Sequence, residues 1–333
     1  MNSMLLLGFW QSIIELTDFF LWPILAGIVV GLLAPIIGSV IVIRRLSFIA
    51  DTLSHFSLAG ICLGVLLAQI LSNTIFTELS PTLMGIVFSV GGTFLIEKIR
   101  SFYKNYKELS MPIVMSLGAA LTGIFISLSN GSASAMAMTL LFGSIFTIDF
   151  YDFILILIMS IGIIMFIHIF YRKIVSLCFD ETFARISGVK IKALQLGITI
   201  ILAIFISITM QMIGVLLVSA LMIVPVAASI LIGKSFKNTC IISIVFSEFS
   251  ILVGIYLSYI LELPSGSLIV VINILILILI LIYSKFSSKQ KKEKKDSLII
   301  KSTPKNESKE NIVETDTSIQ MSTIDLDENK KQE

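Results

Sequence analysis

Residues 19–55 read FFLWPILAGIVVGLLAPIIGSVIVIRRLSFIADTLSH. From Phe19 to Ile43 no side chain is charged, and a run of about 20 apolar residues is what an α-helix needs to cross a bilayer. Arg44 and Arg45 end the run, and a second one starts at Phe48. By the positive-inside rule the basic corner between the two spans belongs in the cytoplasm. The second span carries Asp51 and His55. Four residues apart on a helix, they share one face and can grip one cation together. An ionisable group at membrane depth costs at least ~2.5 kcal/mol on insertion scales, so such residues face the protein interior or a water-filled path. The pair is therefore a candidate metal site. A plainer alternative stands beside it, with His55 hydrogen-bonded between helices and Asp51 paired with Arg45 at the headgroups.

The whole chain supports a membrane protein. Of 333 residues, 56% are hydrophobic and 14% charged, and the mean hydropathy is +1.00, more apolar surface than a soluble domain can cover. Apolar segments run from Phe19 to Ile43, Phe48 to Leu71, Thr82 to Ile96, Met111 to Leu128, Tyr151 to Phe170, Leu194 to Met212, Gly214 to Ile232, Thr239 to Ile260 and Leu268 to Tyr283. A shorter piece, Ala135 to Ile148, contains Gly143 and reads as a re-entrant or interfacial helix. The expected fold is an all-α polytopic bundle of eight or nine spans plus that short helix. Arg44/Arg45, Lys98 to Lys107, Arg172 to Lys192, Lys234/Lys237 and Lys285 to Lys295 fall on one side of it. If the short piece does not cross, the amino terminus lies outside and the carboxyl terminus inside. The chain thus divides into a lead-in at 1–17, an amphipathic approach without a cleavable signal peptide, a membrane domain at 18–284, and a tail at 285–333. The tail is first lysine-rich and then mixed in charge, without an aromatic from 297 on. Such a composition cannot bury enough surface to fold, so it is expected to be disordered with its lysines near anionic lipid.

Cys62, Cys178 and Cys240 are far apart and show no ligand spacing, so they read as small core residues. Phe179 to Val189 is a loop with charges of both signs, in which Asp180 can cap a short helix, Glu181 favours its first turn and Gly188 ends it. A short helix in a cytoplasmic loop is what a soluble partner can grasp. In Gly214 to Ser229 the small residues suit close helix packing, and Pro225 frees a backbone carbonyl. Gly233-Lys234-Ser235 is not the end of a nucleotide loop, because Ala228 stands where the first glycine is needed. His168 reads as packed or interfacial, Glu248 as interior-facing, and Asp149 and Asp152 as interfacial.

The R-R-x-S-x-x-x-D-x-L-S-H string, the mid-chain loop and Gly214 to Ser229, with Leu141-Phe142-Gly143 and Leu263-Pro264-Ser265-Gly266, resemble the membrane permeases of bacterial ABC importers for zinc, manganese or iron. The resemblance runs from about Phe19 to Tyr283 and implies a type II importer-like architecture. It implies a subunit without enzymatic activity of its own, in the bacterial cytoplasmic membrane, paired with a second permease copy or paralogue. It further implies two cytoplasmic ATPase subunits and an extracytoplasmic metal-binding protein, with lipid around it and no nucleic acid. Asp51 and His55 carry over as metal-pathway ligands, Asp180, Glu181, Ala184 and Gly188 as ATPase contacts, and Gly214 and Pro225 as pathway or packing positions. No cofactor is held permanently; the divalent ion is cargo. A carboxylate with an imidazole suits Mn²⁺, Fe²⁺ or Zn²⁺ alike. The alternatives are a permease for a metal chelate, for which an Asp/His pair has no use, and an ATP-independent secondary transporter, for which internal repeats would be expected. A membrane enzyme lacks any H-E-x-x-H or nucleophile-base motif to support it.

Overall fold

The computed structural model describes residues 2–70, 81–103, 106–129, 139–143 and 145–302, with the side chains at 2–20, 147, 212 and 287–302 left aside. Ten helices are used below: α1 (Asn2–Ile43), α2 (Phe48–Ile70), α3 (Pro81–Phe102), α4 (Ser110–Leu128), α5 (Phe150–Phe179), α6 (Glu181–Ile186), α7 (Ile191–Ile213), α8 (Val215–Ile230), α9 (Phe236–Leu261) and α10 (Ser265–Ser302). Eight stretches are long and apolar enough to cross a membrane, and α8 is apolar but only 16 residues long. These nine helices correspond to the nine apolar segments of the sequence. The helices run further than apolarity alone indicates. α1 extends back to Asn2, and α10 continues through the lysine-rich run to Ser302, since Lys, Gln and Glu are good helix formers. The rest of the expected disordered tail, 303–333, lies outside the described residues.

The helix ends sort into two sets. At one end Glu97 meets Gln195 and Thr52 meets Met111. At the other Thr82 meets Gln211 and Ile145 meets Ser265. The first set includes the basic corner at Arg44, so it is the cytoplasmic one. Hence α1 descends, α4 rises and α5 descends again, and both flanks of the short piece between α4 and α5 lie at the outer end. Of that piece, 139–142 form one helical turn and Ile145–Thr147 a 3-10 turn.

α2 is the central helix, packed on α3 and α4 and also on α7 and α8; α1 covers α9, α8 and α5. Small residues allow this closeness. A Cβ at Gly38 of α1 would overlap the carbonyl of Met222 in α8. Hydroxyls stitch the interior: Ser57 donates to Ser207 Oγ at 2.8 Å, Ser207 to the Gly85 carbonyl at 3.4 Å, and Ser89 to the Ala203 carbonyl at 3.2 Å. The corner between α1 and α2 closes with Leu46 N on the Ile41 carbonyl (2.9 Å) and Arg45 N on the Val42 carbonyl (3.0 Å). This is a Schellman ending, with Arg45 at φ 57° in the place glycine usually takes and Leu46 buried.

At the outer end three glycines allow backbones to approach closely. Gly143 (φ 66°) and Gly214 (φ 102°) lie backbone to backbone, and a Cβ on Gly266 would strike the carbonyl of Phe142. Both positive φ values are left-handed conformations that a side chain resists. Gly38→Val is expected to lower stability by about 2 kcal/mol, because the obstacle is backbone and α1 must move off α8. Gly91→Ala, where nothing lies within 4 Å, is expected to be neutral or slightly stabilising. The denaturation midpoints of the two variants in detergent check this.

Candidate functional site

Every residue of α2 from Ile49 to Cys62 is buried except Asp51 and His55, each half-buried. Phe48, one turn before, is 58% exposed. The open strip of the central helix is therefore Phe48, Asp51 and His55, spaced three and four apart. At ~1.5 Å per residue the two polar side chains stand roughly 5 and 10 Å from the cytoplasmic start of α2. Their backbone is held from behind. Thr52 Oγ1 donates to the Phe48 carbonyl at 2.7 Å and to the Met111 carbonyl at 3.1 Å. A Cβ on Gly118 of α4 would come within 3.0 Å of Phe56 N and 3.1 Å of the His55 carbonyl carbon. Among the described residues no group of three or more His, Cys, Asp or Glu could hold a metal ion. One chain thus offers two donors, a carboxylate and an imidazole, against the four that zinc usually takes. The cysteines add none: Cys62 is buried, and all three are free thiols remote from one another in sequence.

The mid-chain loop forms the helix its residues prescribe. Asp180, in extended conformation, accepts at Oδ1 from Thr182 N (2.8 Å) and Phe183 N (3.0 Å), capping α6. Glu181 sits in the first turn and pairs with Arg185 at 3.5 Å, both largely exposed, so this pair contributes little. Gly188 takes φ 78° and Val189 N returns to the Ala184 carbonyl at 3.1 Å, ending the helix. Ala184 is fully buried and anchors α6. Phe179, Phe183 and Ile186 are exposed at 67, 61 and 82%. The residues expected from sequence, Asp180, Glu181, Ala184 and Gly188, leave out Phe183 and Ile186, whose spacing around Ala184 already marks an apolar face.

Between α3, α6 and the start of α7 lies a cleft of about 800 Å³ lined by Glu97, Arg100, Glu181, Arg185 and Gln195 among others. A second hollow of about 520 Å³ is lined by Arg44, Arg45, Arg100 and Lys107. Burial pulls the Arg44 guanidinium below its ordinary value, and Arg100 adds to the drop while Cys178, Glu181 and Glu97 oppose it. Glu97 and Gln195 were not singled out from sequence. Isolated polar residues near the ends of two apolar spans are the cue that points to them.

The remaining candidates separate. Gly214 is part of the outer glycine junction, and Pro225 is buried within α8. Neither is near the α2 strip in sequence. His168 is exposed on α5, as an interfacial residue would be. Asp149 caps α5 by accepting from Asp152 N at 2.9 Å. Ser235 caps α9, accepting from Asn238 N at 3.3 Å, so Gly233-Lys234-Ser235 is a helix start. Glu248 lies against α1 at Gly31, its buried Oε1 without a hydrogen-bond partner among the described residues.

A family model described as the ABC 3 transport family matches residues 16–284. The high-affinity zinc uptake system membrane protein ZnuB of Buchnera aphidicola subsp. Schizaphis graminum is 30% identical over 247 residues, 74% of this chain and 91% of its own length. The manganese transport system membrane protein MntC of Listeria monocytogenes serovar 1/2a is 27% identical over 249 residues, 75% of this chain and 85% of its own. Among solved structures, a chain of PsaBC from Streptococcus pneumoniae in complex with Fab shares the fold with a TM-score of 0.67 at 23% identity, covering 82% of this chain and 95% of that one.

Asp180→Ala removes the cap acceptor of Thr182 and Phe183 and is expected to destabilise α6 by about 1 kcal/mol. Hydrogen exchange at those two amides, about fivefold faster in the variant with the spans unaffected, is the measurement.

Proposed function

Since this chain belongs to the ABC 3 transport family, we propose that it is the permease of an ATP-driven importer for a divalent transition-metal ion, manganese, zinc or iron, in the bacterial cytoplasmic membrane. It is a transport subunit and not itself an enzyme. ATP is hydrolysed by a separate cytoplasmic subunit, present in two copies, and an extracytoplasmic metal-binding protein delivers the ion. The observation that carries the metal reading is the open strip of α2, where from Ile49 to Cys62 the two ionisable residues are also the two that are not buried. A second permease copy facing this strip would bring the donors to four. Two Asp and two His around one ion bind hard-to-borderline cations. The pair's half-buried setting favours brief residence over storage. Curated relatives named for manganese and for zinc transport support the cargo class and leave its member open.

The coupling surface is α6. We assign to it Asp180 and Gly188 as the residues that shape the helix, Ala184 as its anchor and Glu181 as a contact, with Phe183 and Ile186 as the apolar face that meets the ATPase. The lead-in at 1–17 and the tail at 285–333 serve lipid contact and regulation, and translocation belongs to 18–284.

Asp51→Ala and His55→Ala are each expected to cut uptake of radiolabelled Mn²⁺ and Zn²⁺ by more than tenfold while insertion and assembly continue. Normal accumulation of both ions by both variants would remove the site. Glu181→Arg combined with Gly188→Leu is expected to lose the ATPase on purification in detergent. Full stoichiometry and coupled hydrolysis in that double variant would move the docking surface elsewhere.

A further inference from the structure

The cytoplasmic ends of three spans are joined by a polar chain that core packing does not require. Its centre is Gln195, in the first turns of α7. Gln195 Oε1 accepts from Arg44 Nη2 at 3.1 Å, and its Nε2 donates to Glu97 Oε1 at 2.7 Å. Arg100 Nη1 lies 3.6 Å from the same Glu97 oxygen. Cation and carboxylate fix which end of the amide points each way, because the reverse would set donor against donor. On one side the chain opens into the cleft that Glu181 and Arg185 of α6 also line. On the other, Arg44 precedes the strained Arg45 at the corner into α2. There the Leu46–Ile41 and Ile49–Leu46 backbone bonds, both 2.9 Å, leave no slack before Asp51.

We propose that Gln195 is a positioning residue that couples displacement of the α6–α7 segment to the α1–α2 corner, and so to the placement of Asp51 and His55. The inference rests on the transport function given above. One amide supplies both bonds, so a shift of α7 by the 1–2 Å typical of helix movements breaks both together. Arg44 is then left partly buried without its acceptor, and Glu97 keeps only Arg100. Such an arrangement has two discrete states and few between them, which is what transmission between distant sites needs. A direct exposed Arg–Glu pair would brace the corner about as well.

The test uses the permease with its ATPase in proteoliposomes, with ⁵⁴Mn²⁺ and ⁶⁵Zn²⁺ as cargo and ions moved per ATP as the readout. Gln195→Leu, nearly the same volume without the amide, is expected to keep hydrolysis within twofold and to lower ions per ATP at least tenfold. Arg44→Gln, which leaves the Gln195–Glu97 bond in place, is expected to lower the same ratio. The exchange of Glu97→Gln with Gln195→Glu keeps both hydrogen bonds and moves the carboxylate one helix over, and it is expected to restore the ratio to within threefold. If Gln195→Leu and Arg44→Gln retain the wild-type ratio, or if all three variants lose only thermal stability and assembly, the chain is a brace and the relay is overturned. A wild-type complex that hydrolyses ATP without moving either ion overturns instead the function on which the relay rests.

Discussion

In hydrocarbon an unpaired backbone N–H or C=O costs several kcal/mol, so a membrane chain leaves the helix only where other protein covers the break. Here the outer ends of α7, α8 and α10 and the piece before α5 are all such breaks, and they are gathered at one place. Gly143 and Gly214 lie backbone to backbone, Gly266 lies against the Phe142 carbonyl, and Ser265 Oγ accepts from the amide of Ile145 at 2.9 Å. Gathering the breaks lets each cover the others. The remainder of the membrane domain is then free to be straight, apolar and closely packed, with α2 at its centre.

That central position is what gives Asp51 and His55 their chemical meaning. On a peripheral helix an ionisable pair could turn to the headgroups. On α2, from Ile49 to Cys62, the neighbouring helices leave only these two residues short of full burial. Thr52 and Gly118 hold the backbone from behind, so the strip has a fixed direction. The cytoplasmic corner, with Arg45 in a left-handed conformation at a cost of ~1–2 kcal/mol, is the element through which that direction is set.

Local chemistry was legible in the sequence, and contacts between distant segments were not. Span existence follows from composition, the α6 cap from Asp180, and its end from Gly188, because each depends on residues within one or two turns. The shared face of Asp51 and His55 follows from their spacing; that it is the open face of α2 depends on four other helices. The placement of Gly143 and Ile145 beside the outer ends of α7 and α10 rests on contacts with residues some 70 and 120 positions away, which no local pattern encodes. Gln195 bonds partners 98 and 151 residues distant, which no periodicity encodes. That Phe183 and Ile186 stay exposed depends on what packs around α6, since Ala184 between them is fully buried.

The brevity of α8 has its own consequence. Sixteen residues reach only ~24 Å, about one helical turn short of a ~30 Å hydrocarbon layer. At its outer end α8 is continued by the glycine junction, where Gly143 and Gly214 lie backbone to backbone, so the peptide groups of the break are covered by other protein.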